Sequence, residues 1–265
     1  IIWQQANLDP LTNLPNRRNF KGSIQHALDL AETQHSKVAL LYLDLDDFKA
    51  INDFHGHDVG DRLLTQVAQR LNKIIKKKHT FYRLGGDEFT IIVSQFDKTE
   101  ELEILCQNIL AVLDKPFNLD KDKLYISASI GISLYPNHAK NSDSLLRYAD
   151  EAMFSAKSNG RNQYQLFTEK LHQDILYRMQ VISDLRSALS EQQFELHYQP
   201  IVVLNTGEIK KAEALIRWNH PVHGLTMPLE FIKIAEETSH IIDIGDWVFR
   251  EATRQLKQWT DELDI

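Results

Sequence analysis

The chain has 265 residues, 43% apolar and 25% charged, with a formal net charge of −7. At about 150 residues per domain, that leaves room for about two soluble domains with cores of their own. The acidic balance gives no general attraction to a polyanion and argues against an extended nucleic-acid groove, though not against a small anionic ligand.

Residues 1–7 read as the end of a linker helix. Helical periodicity runs from Asn16 to Glu32, followed by a strand, VALLYLDLD, that ends in acids. Helical stretches follow at Asp47–Asn52, with Asp47 as the expected N-cap, and at Asp58–Lys78. The lysines Lys73, Lys76, Lys77 and Lys78 fit a solvated helix end. Phe81, Tyr82 and Leu84, then Phe89, Ile91, Ile92 and Val93, fit two strands around Gly85-Gly86, which is hairpin chemistry. A helix from Lys98 to Leu113 carries the single cysteine, Cys106, in the core or at its boundary. A lone cysteine builds neither a disulfide nor a cysteine-rich zinc site and suits a reducing compartment.

LYISASIGISLYP alternates as one long strand ending at Pro136. Asp143–Ser158 is a helix closed by Asn159-Gly160, and QYQLF is a last strand. Intermixed helices and strands with a hairpin imply an α/β (α+β) sandwich with a mixed sheet over residues 8–168. A continuous helical pattern at 169–190 connects to a second unit at 191–265. That unit has strands FELHYQPIVVL and EIKKAEALIRW joined at Asn205-Thr206-Gly207, then helices PLEFIKIAEET and Ile241 to about Leu263. It holds too few strands to close a sheet or barrel. No apolar run approaches the roughly 20 residues of a membrane span. With neither an initiator Met nor a signal-peptide pattern, the chain reads as a piece of something longer. It is expected in the cytoplasm, or as the cytoplasmic part of a longer membrane-anchored protein, with no membrane contact of its own.

Alone, the turn bearing Asp87 and Glu88 is ordinary solvated hairpin chemistry. Strand alternation, however, puts Asp44 and Asp46 on one face, and a buried strand ending in acids is costly unless a cation neutralises them. If that strand lies beside the hairpin, Asp44, Asp87 and Glu88 come within reach of one another. Clustered carboxylates raise each other's pKa unless a divalent ion sits among them, and Mg²⁺ with phosphate oxygens is the natural occupant. Gly85 and Gly86 would then let a phosphate approach the backbone closely.

GGDEF, with LDPLTNLPNRR, LDLDDFKAIND and GHDVGD upstream and ADEAMFSAKSNGRNQY downstream, resembles the GGDEF family of diguanylate cyclases from Asp9 to Phe167. YQPIV, EALIRWNHP and FIKIAEE resemble the opening of an EAL domain, the cyclic di-GMP phosphodiesterase family. The resemblance implies a mainly antiparallel sheet flanked by helices, followed by an incomplete TIM-like barrel. It implies condensation of two GTP into cyclic di-GMP by a homodimer, each domain holding one GTP. It also implies an upstream sensory domain outside this chain and no nucleic-acid polymer as partner.

By the same resemblance, Mg²⁺ (or Mn²⁺) falls to Asp44, the Leu45 carbonyl and Asp87. Glu88 would be a second ligand or the proton acceptor. Asn52 and Asp61 would read guanine; on turn and cap preferences alone they are a turn residue and a helix cap. Lys49, Lys157 and Arg161 would contact phosphates, the last two sharing a helical face at a spacing of four. His55 and His57 match no ligand and are structural or peripheral. Lys76-Lys77-Lys78-His79 stands where many members carry an inhibitory Arg-x-x-Asp site, which puts product inhibition there in doubt. In the EAL-like part, Glu213 matches a metal-binding acid, and Gln199 and Arg217 match dinucleotide contacts. Glu213, Leu215 and Arg217 share one strand face, as at a barrel mouth, but the remaining EAL ligands are absent from these residues. Two other classes stay open: a catalytically silent GTP-binding module regulating an EAL phosphodiesterase, and a polymerase-like palm.

Overall fold

The computed structural model describes residues 6–75, 79–119 and 122–263. The chain divides into two compact units, the first ending at Gln173 and the second beginning at Asp174.

In chain order the first unit runs α1 (Arg17–Gln34), β1 (Val38–Leu45), α2 (Phe48–His55), α3 (His57–Ile74), β2 (Thr80–Gly85) and β3 (Glu88–Ser94). It continues with α4 (Thr99–Leu113), β4 (Phe117–Leu119), β5 (Asp122–Leu124), β6 (Ala128–Tyr135), α5 (Ser142–Ser158) and β7 (Tyr164–Leu166). Asn16 begins α1 by accepting from the Arg18 and Asn19 amides. The main sheet has the order β2-β3-β1-β6-β7, antiparallel except for β6–β7.

Every residue of β1 is buried, because helices cover both faces of the sheet. Its alternation sorts the two cores. Ala39, Leu41, Leu43 and Leu45 pack with Leu63, Val67 and Leu71 of α3 and with Cys106 and Ile109 of α4. Val38, Leu40 and Tyr42 pack with Phe20 and Ile24 of α1 and with Leu145, Ala149 and Met153 of α5. Asp44 therefore falls on the α1/α5 side. Gly131 of β6 lets α5 settle onto the sheet: a Cβ there would lie 1.9 Å from the Ala149 carbonyl oxygen.

Five local expectations need correction. LYISASIGISLYP is not one strand: β5 pairs with β4 in a separate ribbon, and β6 begins only at Ala128. The interruption turns Ser127 toward Asp46, whose amide donates to the Ser127 carbonyl at 2.9 Å. Asp47 precedes α2 but does not cap it; its φ is +55° and its side chain makes no capping bond. Gly85 belongs to β2 and pairs with Glu88, so the hairpin corner is Gly86-Asp87 rather than Gly85-Gly86. Arg161 does not extend the face of Lys157, since α5 ends at Ser158 and Arg161 has φ +59°. The helix expected through Lys78 ends at Ile74, and Lys76, Lys77 and Lys78 lie outside the described residues.

α6 (Glu169–Ala188) leads into the second unit, with β8 (Phe194–Val202), β9 (Ile209–His220), β10 (Gly224–Thr226), α7 (Pro228–Glu237) and α8 (Ile241–Leu263). The sheet has the order β10-β9-β8 and is not closed into a barrel. Phe194, Ile216 and Trp218 on one face pack against Val181 and Leu185 of α6, Phe231 and Ile234 of α7 and Ile244 of α8. Among the described residues no helix is long and apolar enough to cross a membrane.

Candidate active site

The hairpin corner requires glycine. Gly85 has φ +146° and Gly86 φ +52°, backbone that residues with a Cβ adopt at a cost. A Cβ on either would meet nothing within 4 Å, so the space over the turn is open. The β1–β3 register sets Asp44 opposite Glu88, and the Leu45 amide donates to the Asp87 carbonyl at 3.3 Å. The acidic end of β1 and the acidic turn thus adjoin.

The turn is held from behind by a buried cation. Arg83 donates from Nε and Nη2 to the Gly86 carbonyl at 3.0 and 2.8 Å, and from Nη1 to Asp9 at 2.8 Å. Asp9 also accepts from the amide and hydroxyl of Thr12. Burial pushes the Asp9 carboxyl up, but the bonds from Thr12 and Arg83 outweigh it and hold the group below its usual range. Arg17 donates to the Leu84 carbonyl at 3.2 Å and pairs with Glu88 at 3.3 Å. This clamp went unread in the sequence, where only the presence of Asp9 and Arg83 beside the two motifs pointed to it.

Asp44 is nearly buried. Lys157 Nζ lies 2.6 Å from its Oδ1, a close charge-assisted ion pair. Burial pushes the Asp44 carboxyl up to about 6, with Asp87 and Glu88 adding to the rise and Lys157 opposing it. Burial, then the fields of Glu88 and Asp150, raises the Tyr42 hydroxyl. Asp150, absent from the expected set, is raised by burial, Glu88 and Glu151. Its signal was the acid in ADEAMFSAK, two turns before Lys157.

Among the described residues, no three acidic, histidine or cysteine side chains converge tightly enough to hold a metal. The expected cage of Asp44, Asp87 and Glu88 is therefore a set of neighbours rather than a closed ligand set. The carboxylates repel one another, and two of the three take a nearby cation: Lys157 for Asp44, Arg17 for Glu88. The donor chemistry still suits a hard divalent ion: all-oxygen groups, with the nearly buried Asp44 carboxylate already drawing a cation to its Oδ1.

α2 and α3 carry the remaining expected contacts. Asn52 lies against Gly60, where an added Cβ would come within 1.9 Å of its Oδ1, and Asp61 follows Gly60 on α3. Lys49 is exposed on α2. Arg161 sits 3.6 Å from Asp47, not beside Lys157. Asp46 accepts from the hydroxyls of Ser127 and Ser129 at 2.6 and 2.7 Å and from the Asn162 amide at 3.1 Å. His55 packs edge-on against Phe54.

In the second unit Gln199 pairs with Glu213 across β8–β9, and Glu195 with Arg217. These side chains share the face away from Trp218. Arg217 Nη1 donates to the Ile216 carbonyl at 2.8 Å, while Glu195 takes His197 at 2.7 Å and Asn219 at 2.8 Å.

A five-stranded sheet between two helical layers, with paired acids at a glycine turn, matches a known family. Residues 6–163 match the diguanylate cyclase GGDEF domain, and residues 182–265 match the EAL domain. The chain belongs to the GGDEF diguanylate cyclase family and continues into an EAL segment.

It is 40% identical, over 98% of its length, to the bifunctional diguanylate cyclase/cyclic di-GMP phosphodiesterase MucR of Pseudomonas aeruginosa. It is 39% identical, over 97% of its length, to the cyclic di-GMP phosphodiesterase PdeR of Escherichia coli. It spans 38% of each of these relatives. Among solved structures, the GGDEF domain of TpbB (YfiN) from Pseudomonas aeruginosa superposes with a TM-score of 0.62 at 35% identity. That match covers 64% of this chain and 99% of the other.

Proposed function

We propose that the first unit is a diguanylate cyclase within a GGDEF-EAL signalling protein. The observation that carries this reading is the adjoining of Asp44, at the end of β1, with the open Gly85–Glu88 turn. Two GTP molecules condense as each 3′-oxygen attacks the α-phosphorus of the other. In each of the two attacks a P–O bond forms and an α–β anhydride breaks, so two pyrophosphates leave with one cyclic di-GMP. Each attacking hydroxyl loses its proton to Glu88 or to solvent.

Asp44, the Leu45 carbonyl, Asp87 and Glu88 are the groups that would hold Mg²⁺ or Mn²⁺. A bound divalent ion supplies neutralisation of phosphate charge. Gly85 and Gly86 leave room for the phosphates, and Lys49, Lys157 and Arg161 offer them counter-charge. Asp61 can accept from guanine N1–H and its 2-amino group together, a pair adenine lacks, and Asn52, which lies against Gly60, is the second guanine contact. Two such domains must face each other, so the working form is a homodimer. A sensory domain upstream and a cytoplasmic setting follow from the same reading. In the EAL part, Glu213 is the metal acid, and Gln199 and Arg217 are the dinucleotide contacts.

A second reading has one observation in its favour: PdeR, at 39% identity, is named for phosphodiesterase activity alone. In it the first unit binds GTP without turnover and tunes the attached EAL domain. Incubation with GTP and Mg²⁺ separates the two. Cyclic di-GMP from the wild-type chain, lost in Asp87→Ala, supports the cyclase. GTP binding without product selects the regulatory module.

A further inference from the structure

We infer that Lys157 is an exchangeable internal counter-ion: its ammonium holds the Asp44 carboxylate until a divalent ion and a triphosphate arrive, then transfers to the phosphates. The inference rests on the metal-site reading above and deepens it.

The geometry makes the two cations competitors. Lys157 Nζ is 2.6 Å from Asp44 Oδ1, on the one expected carboxylate ligand of this unit that is nearly buried. A magnesium or manganese ion would take that oxygen at roughly 2.1 Å. Two cations would then share one oxygen, where their repulsion is only weakly screened. Lys157 can leave. It stands in the last turn of α5, its side chain is 30% exposed, and its stem is flexible. Asp150, two turns back on the same helix, lies near enough to feel Lys157 and Glu88. The ammonium is therefore held by Asp44 when no anion competes, and Asp44 faces Glu88 of the open glycine turn across the β1–β3 ladder, where a triphosphate would draw it.

This exchange has a thermodynamic signature. Metal alone must displace the ammonium, whereas a triphosphate draws it away, so metal and nucleotide bind with positive coupling that acts equally in both directions. Removing the ammonium should tighten binding of metal alone and weaken nucleotide. Loss of fold cannot produce that opposition of sign.

The experiment titrates Mn²⁺ into the nucleotide-free chain at pH 8, for wild type, Lys157→Met, Lys157→Arg and Asp44→Asn. Each protein is also titrated with a GTP analogue whose α–β bridge is methylene. Lys157→Met should bind Mn²⁺ at least about threefold tighter than wild type, the worth of a modest ion pair, and bind the analogue more weakly. Lys157→Arg, which keeps the charge, should stay near wild type for Mn²⁺. If Lys157→Met binds Mn²⁺ as wild type does, or more weakly, while Asp44→Asn abolishes it, the exchange is overturned and the metal site stands. If Mn²⁺ binding is indifferent to Asp44→Asn, the metal-site reading falls, and the exchange with it.

Discussion

Asp44 is a carboxylate that the fold tolerates rather than uses for stability. Its ordinary value is 3.8, and burial lifts it to about 6 in the folded chain. Below pH 4 it is protonated folded or unfolded and makes no difference. Between pH 4 and 6 the folded chain keeps a proton that the unfolded chain has released, so this group's contribution falls as pH rises. Above pH 6 the full penalty is present, on the order of 2–3 kcal/mol for a shift of about two units. Asp44→Asn should therefore be the more stable protein at pH 8, and the gain should vanish below pH 4. Urea melts of both proteins at the two pH values measure it. A variant no more stable at pH 8 would show that the acid is not strained. The sequence disclosed the liability, an acid ending an apolar strand. It did not disclose the neutralising cation, because Lys157 lies 113 residues further along.

At the level of elements, the α2–α3 hairpin shows how a small residue can aim a polar one. Gly60 leaves the space that Asn52 Oδ1 fills. Gly60→Ala should leave the fold intact, or stabilise α3 by up to about 1 kcal/mol through helix propensity. It should nonetheless displace Asn52 and weaken GTP binding about tenfold, the worth of one or two hydrogen bonds. Thermal melts alongside nucleotide titration test both halves, and an unchanged GTP affinity would remove Asn52 from the guanine contacts.

Helices and strands were legible where periodicity was strong: α1, β1, α4 and α5 lie where their patterns put them. Failures came where tertiary demand overrode local preference. The alternation of LYISASIGISLYP hides a break forced by Asp46, and Asp47 has a capping residue's chemistry without its geometry. The Asp9–Arg83–Gly86 clamp joins segments 74 residues apart, which no local pattern reveals.

Across the whole molecule, one GGDEF unit offers one open glycine turn, whereas the proposed product needs two substrates antiparallel to each other. Specific activity should accordingly climb with protein concentration and level off once the dimer is saturated. Product formation followed across a hundredfold dilution series, beside sedimentation of the same samples, would reveal this. Activity flat in concentration for a monomeric chain would refute the facing arrangement. Asp46 has its own bearing on such a dimer, through the three donors that it gathers. Ser127, Ser129 and Asn162 are all moored to that one carboxylate. The segment bearing Arg161 thus moves with the rim of the sheet as a single casting. Whatever tilts the end of β1 must carry Ser127, Ser129 and Asn162 along with it.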